Sequence, residues 1–259
     1  MIRVLRMNYE ELINTATDVG YMLLANGAEI YRVEESMQRI FQAYSVSSEI
    51  FAIPTCIYVT ITAEDGKPVT KIKRLYRRNT NLDKVEQVNG LCRRICREKP
   101  DFKEIRRELQ KIDQRPGYGF FPQLLAFSLI AFSFTLFYGG NLPDAFIAVF
   151  CGAAMKIIIC RLERFRVNSF FTNILASCAA AAIAFTAVHF SVGLNPDKII
   201  IGALMNLVPG IAITSFMRDL IAGDLIAGLI RFTESLLVAT AIAIGAGIAL
   251  AAMRAVWGV

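Results

Sequence analysis

The chain has 259 residues, 55% hydrophobic and 19% charged, with a formal net charge of +6. Its mean hydropathy of +0.47 is too apolar for an ordinary soluble domain and excludes a purely soluble fold. Residues 1–116 hold 20 of the 28 Lys+Arg and 16 of the 22 Asp+Glu, interleaved in sign, which points to a solvated surface beside an anionic leaflet and away from nucleic acid.

The opening MIRVLRMNYEELIN lacks the apolar run of a signal peptide, so the first membrane helix is expected to act as the insertion signal. Leu12, Ile13, Ala16, Val19, Leu23 and Leu24 recur at helical spacing over 8–26, and Asn26-Gly27 reads as a helix stop. A second helix is predicted over about 29–44. From Ser48 to Tyr76 the period shortens to alternation in EIFAI, CIYVTITA and PVTKIKRLY, with a hairpin turn at Asp65-Gly66. Helices over about 82–98 and 101–113 complete an N-terminal α+β domain, 1–116, expected in the cytoplasm. Gly27, Glu29, Arg32, Glu34 and Thr55 read as a ligand-sensing or gating surface. The favoured, plainer reading is an i,i+3 ion pair of Glu29 with Arg32 plus a turn threonine. The domain has no histidine, no Gly-x-Ser-x-Gly elbow and no phosphate-binding loop, so no catalytic residue and no enzyme activity are expected. The six cysteines lack metal spacing, and no metal or cofactor is predicted.

Residues 117–259 read as an α-helical polytopic membrane domain of about five spans, near 119–139, 143–160, 169–192, 199–217 and 226–253. The loop 161–168 carries Arg161, Arg164 and Arg166, which places it and the N-terminus on the cytoplasmic side of the cell (inner) membrane and the C-terminus outside. Lys156 is expected to snorkel to the inner interface and His189 to lie near the outer one. The alanines from Ala176 to Ala184 suit close helix packing. An odd number of spans suggests half of an inverted-repeat architecture, completed by a second subunit or an oppositely oriented partner.

The stretch 206–234 is the richest in chemistry. Pro209 cannot donate to the Met205 carbonyl, and Asn206, Gly210 and Thr214 fall along one face, so amide, bare backbone and hydroxyl line a polar groove suited to a small zwitterion or carboxylate. Pro209 is grouped with them as substrate-binding, and Arg218 adds positive charge at the cytoplasmic mouth. Gly223-Asp224 reads as a helix stop followed by an N-cap. Asp219, Asp224, Arg231 and Glu234 are read as a coupling or gating set. The last helix, about 43 Å long, exceeds a ~30 Å core, so interfacial caps and ion pairs also account for them.

The segments NLVPGIAIT, RDLIAGDLIAGLIR and ESLLVATAIAIGAG, with GAEIYRVEE at 27–35 and Pro54-Thr55, resemble the threonine/serine exporter family. Ser215 stands where that family commonly has Asn. The resemblance implies proton-driven efflux of a small polar metabolite, with Asp219, Asp224 and Glu234 as coupling carboxylates. It also implies the longer subunit of a split exporter, partnered by a small membrane subunit of four or five spans in an oligomer. Some split systems of this type are associated with dicarboxylates such as succinate. A membrane-anchored ligand-binding or hydrolase-like domain, and a channel or scaffold subunit, are the competing readings.

Overall fold

The computed structural model describes residues 8–64, 66–76 and 78–257. The expected signal-free start therefore lies outside the described residues at 1–7, and so does Asp65 of the predicted turn. Contacts divide the chain into two compact units, one of 1–116 with 215–231 and the other of 117–214 with 232–259.

In the first unit the periodic segments form α1 (Tyr9–Ala25) and α2 (Ile30–Ala43), followed by β1 (Ser48–Ile53), β2 (Cys56–Thr62) and β3 (Pro68–Arg74), then α3 (Leu82–Glu98) and α4 (Phe102–Asp113). The strands make an antiparallel meander in the order β1-β2-β3. Along β2, Ile57, Val59 and Ile61 face the core while Tyr58 and Thr62 face out, the alternation a one-sided sheet requires. Gly66 closes the β2–β3 turn at φ +75° and donates to the Ala63 carbonyl. The core gathers Leu12, Leu23, Met37, Phe41, Ile61 and Ile95, all fully buried. Each such side chain contributes about 1.5–3 kcal/mol, whereas an exposed helical pair such as Arg39–Glu35 contributes about 0.3–0.5 kcal/mol. Apolar burial decides this fold, and Ala227, far along the chain, packs into the same core.

The second unit contains α5 (Phe120–Phe137), α6 (Leu142–Arg164), α7 (Ser169–His189) and α8 (Pro196–Leu204). The chain then enters α9 (Gly210–Ala222) and α10 (Leu225–Trp257), and both helices are divided between the units. Among the described residues four helices, α5, α6, α7 and α10, are long and apolar enough to cross a membrane. The fourth expected span, 199–217, is not one helix. It breaks between α8 and α9, because Pro209 offers no N–H and the Asn206 and Leu207 carbonyls receive no backbone donor among the described residues.

Small residues let these helices approach. A Cβ on Gly152 would sit 2.5 Å from the Phe127 carbonyl oxygen, and one on Gly202 would sit 2.7 Å from Thr135 Cα. Lys156 differs from expectation. It is buried, with its ammonium 5.4 Å from the Phe127 ring, because the tight α5–α6 contact closes over its stem. His189 stacks on Trp257 with ring centroids 4.4 Å apart.

Candidate functional site

Within the first unit the structure joins two motifs that lie far apart in sequence. Helix α1 ends in a Schellman turn: Ala28 N–H donates to the Leu23 carbonyl at 3.0 Å and Gly27 N–H to that of Leu24 at 3.2 Å. Gly27 adopts φ +92°, and a Cβ there would lie 3.2 Å from the Asn79 carbonyl oxygen. This turn aims the Ala28 carbonyl and the Glu29 carboxylate outward from the start of α2. A second Schellman turn ends α9, with Asp224 N–H donating to the Asp219 carbonyl at 2.9 Å and Gly223 at φ +92°. The Asp224 carbonyl then accepts from Gly228 N–H, which makes Asp224 the N-cap position of α10. A Cβ on Gly228 would lie 2.7 Å from Leu220 Cδ2, so this glycine sets the closeness of the helical hairpin.

The hairpin and the α1–α2 turn share their charges. Arg218 donates to Glu29, whose other oxygen lies 2.9 Å from Arg32 Nε. Arg231 Nη2 donates to the Ala28 carbonyl at 3.1 Å, and its Nε lies 3.4 Å from Asp219 Oδ2. Both partners of that last pair are buried, at 5% and 1% side-chain exposure. Arg218 and Arg78 add positive field at Asp219, while Asp224 adds a like charge. Glu34 accepts from Ala52 N–H at 2.7 Å, pinning α2 to β1. Burial pushes its carboxyl above the ordinary range, the Ala52 N–H opposes that rise and Asp224 adds to it.

Glu29, Arg32, Arg218, Asp219 and Arg231 thus form one lattice, with Asp224 and Glu34 at its edge. Thr55 lies elsewhere, exposed in the β1–β2 turn, where its carbonyl accepts from Leu75 N–H at 2.8 Å. Glu234 is exposed on α10 in the other unit.

The second unit carries the polar break. Asn206 Nδ2 donates to the Phe127 and Ala203 carbonyls, each at 3.1 Å, which fixes the amide orientation. Its Oδ1 is enclosed without a hydrogen-bond donor among the described residues. Pro209 and Gly210 follow, with Gly210 exposed and no atom within 4 Å of a Cβ built on it. Thr214 turns its hydroxyl back onto the Gly210 and Ile211 carbonyls at 3.3 and 3.0 Å. A missed residue is Asp144, fully buried in α6, which accepts from the backbone of Leu194, Asn195 and Asn141 and from the Asn195 amide. Its spacing of three from Asn141 is a capping pattern visible in the sequence. Among the described residues no group of His, Cys, Asp and Glu could hold a metal ion.

Comparison with known proteins gives a consistent picture. A family model described as "Putative threonine/serine exporter" matches residues 14–253. The chain is 24% identical over 245 residues to the threonine/serine exporter of Corynebacterium glutamicum, covering 92% of this chain and 50% of that protein. It is 19% identical over 244 residues to a probable threonine/serine exporter of Mycobacterium tuberculosis, covering 92% and 46%. It is 24% identical over 243 residues to a probable succinate transporter subunit, YjjP, of Escherichia coli, covering 92% of each. The chain therefore spans about half the length of the two exporters. No solved structure matches it.

Proposed function

Because the chain belongs to the threonine/serine exporter family, a family of membrane transporters, we propose that it is a subunit of a secondary exporter for a small carboxylate-bearing metabolite. Threonine, serine and a dicarboxylate such as succinate are the substrates that the relatives' names support. The two-component arrangement is supported by YjjP, which is named as a subunit and aligns over nearly its whole length. In this reading a small second membrane subunit completes the path, and the N-terminal unit lies on the cytoplasmic side.

The observation that carries the proposal is the lattice of Glu29, Arg218, Arg231 and Asp219. A buried ion pair costs desolvation that its own attraction barely offsets, so stability alone is a weak reason to keep one. A group that exchanges partners during a cycle is a better one. Arg218 is half exposed and held by Glu29, so a substrate carboxylate competes with Glu29 for Arg218, and a proton competes with Arg218 for Glu29. Asp219 and Asp224, with Glu234 farther along α10, are the carboxylates assigned to proton coupling. At the break, Asn206 Oδ1 and the Asn206 and Leu207 carbonyls, which accept from no backbone donor among the described residues, offer acceptors that suit an ammonium or hydroxyl group of the substrate.

The test is made in the host cell, where any companion subunit is present. The gene is deleted and restored as wild type, Arg218→Ala or Asp224→Asn, and export of threonine, serine and succinate is followed. Wild type restores export of at least one, an uncoupler abolishes it, and both variants insert normally but export at least about tenfold more slowly, a loss of about 1.4 kcal/mol. Normal export by both variants sinks the site. Flux that ignores the uncoupler points to a channel instead.

A further inference from the structure

Helix α2 meets α3 across an open cleft of about 800 Å³, within the size range of small-molecule sites. Arg32, Glu35, Arg39 and Gln42 recur every three or four residues, so they share one side of α2, and Asn89 and Arg93 do the same on α3. Small side chains make the room between them. Ser36 and Cys92 form the floor, where the Cys92 thiol lies 3.4 Å from the Ser36 carbonyl. Burial first, and then the neighbouring Cys96, push the Cys92 thiol up to about 12, so the floor stays uncharged at neutral pH.

The rim is therefore cationic, with three guanidiniums against the single carboxylate of Glu35. Guanidinium forks match carboxylate and phosphate oxygens two at a time, and the Asn89 and Gln42 amides add neutral donors. Two of the three forks are already engaged: Arg39 Nη2 donates to Glu35 at 2.6 Å, an exposed pair that a ligand can displace, and Arg32 is shared. Arg32 Nε lies 2.9 Å from Glu29, the carboxylate that also holds Arg218.

We propose that the α2–α3 cleft binds a small dianion, of dicarboxylate or phosphate type, clamped by Arg32, Arg39 and Arg93, and that this dianion competes with Glu29 for Arg32. Occupancy leaves Glu29 to Arg218 alone, so the cleft reports ligand level to the lattice through one shared carboxylate. The cleft lies outside the transport reading and does not rest on it.

Binding is measured by calorimetry on the purified full chain in detergent at constant ionic strength, with succinate and inorganic phosphate as probes and acetate as the monoanion control. At least one dianion binds saturably and more tightly than acetate, and the tighter of the two identifies the headgroup chemistry. Arg39→Gln with Arg93→Gln weakens binding at least about tenfold. Glu35→Gln, which removes the one repulsive carboxylate, tightens it several-fold. Glu29→Gln also tightens it, since reciprocity requires that freeing Arg32 helps the ligand. Absence of saturable binding, binding that persists in the double arginine variant, or an affinity unmoved by Glu29→Gln each overturns the proposal. If the double variant does not fold, the opposite-direction change at Glu35 decides alone.

Discussion

Arg231 shows what a guanidinium must find when it leaves water. Its Nη2 donates to the Ala28 carbonyl and its Nε lies 3.4 Å from the Asp219 carboxylate, and removing either charge of such a pair strands the other. Asp219→Leu or Arg231→Met alone is expected to cost about 3–5 kcal/mol, while the two combined recover much of that loss. Thermal unfolding of the four proteins in detergent gives the coupling energy directly, and strictly additive losses would show that the pair is not coupled. Glu34 makes a pH prediction. Its carboxyl is raised above the ordinary value of 4.5, so the fold holds the proton more tightly than the unfolded chain does. Ionised Glu34 therefore penalises the fold above its raised value, and that penalty is relieved as the pH falls towards 4.5. Relative to Glu34→Gln, the wild-type Tm should rise on acidification from neutrality, and parallel Tm curves would contradict this.

At the level of elements, glycine positions sort the helix contacts. Gly202→Ala and Gly152→Ala each drive a methyl into backbone atoms of α5, at 2.5 Å from Thr135 N and 2.5 Å from the Phe127 oxygen, and should cost about 1–3 kcal/mol. Gly247 on α10 meets nothing within 4 Å, so Gly247→Ala should be neutral or mildly stabilising by helix propensity. Equal Tm values for all three variants would refute the packing argument. The helices and the hairpin of the N-terminal unit were legible in the sequence because their signals are local: heptad-like spacing in α1, alternation in β2, a cap at Gly27. The break at Pro209 was legible too, yet hydropathy alone joined 199–217 into one span, since an apolar residue scores the same whether or not its backbone is bonded. The bond between Glu29 and Arg218 spans 189 positions, and no periodicity encodes a contact of that range. Asp144 was within reach through its spacing from Asn141, but an isolated acid at a helix start is usually only a cap.

For the molecule as a whole, the informative boundary is not a single cut. The hairpin segment 215–231 groups with 1–116, and Ala227 enters that unit's core. Residues 1–116 expressed alone should therefore unfold at lower denaturant than the same unit in the full chain, because they lose Ala227, the Arg231 bond to Ala28 and the Arg218 bond to Glu29. Urea titration read by hydrogen exchange at core amides of α1 and α2 checks this, and identical midpoints would argue that the hairpin only decorates the unit. The same grouping bears on how the protein is made. Segment 215–231 leaves the ribosome only after residues 117–214, which at roughly 5–20 residues per second is a delay on the order of 5–20 s. Throughout that interval the early-made unit lacks its last piece, and it is completed once the first turns of α10 are delivered, so its assembly doubles as a report that α5 to α8 have already been made.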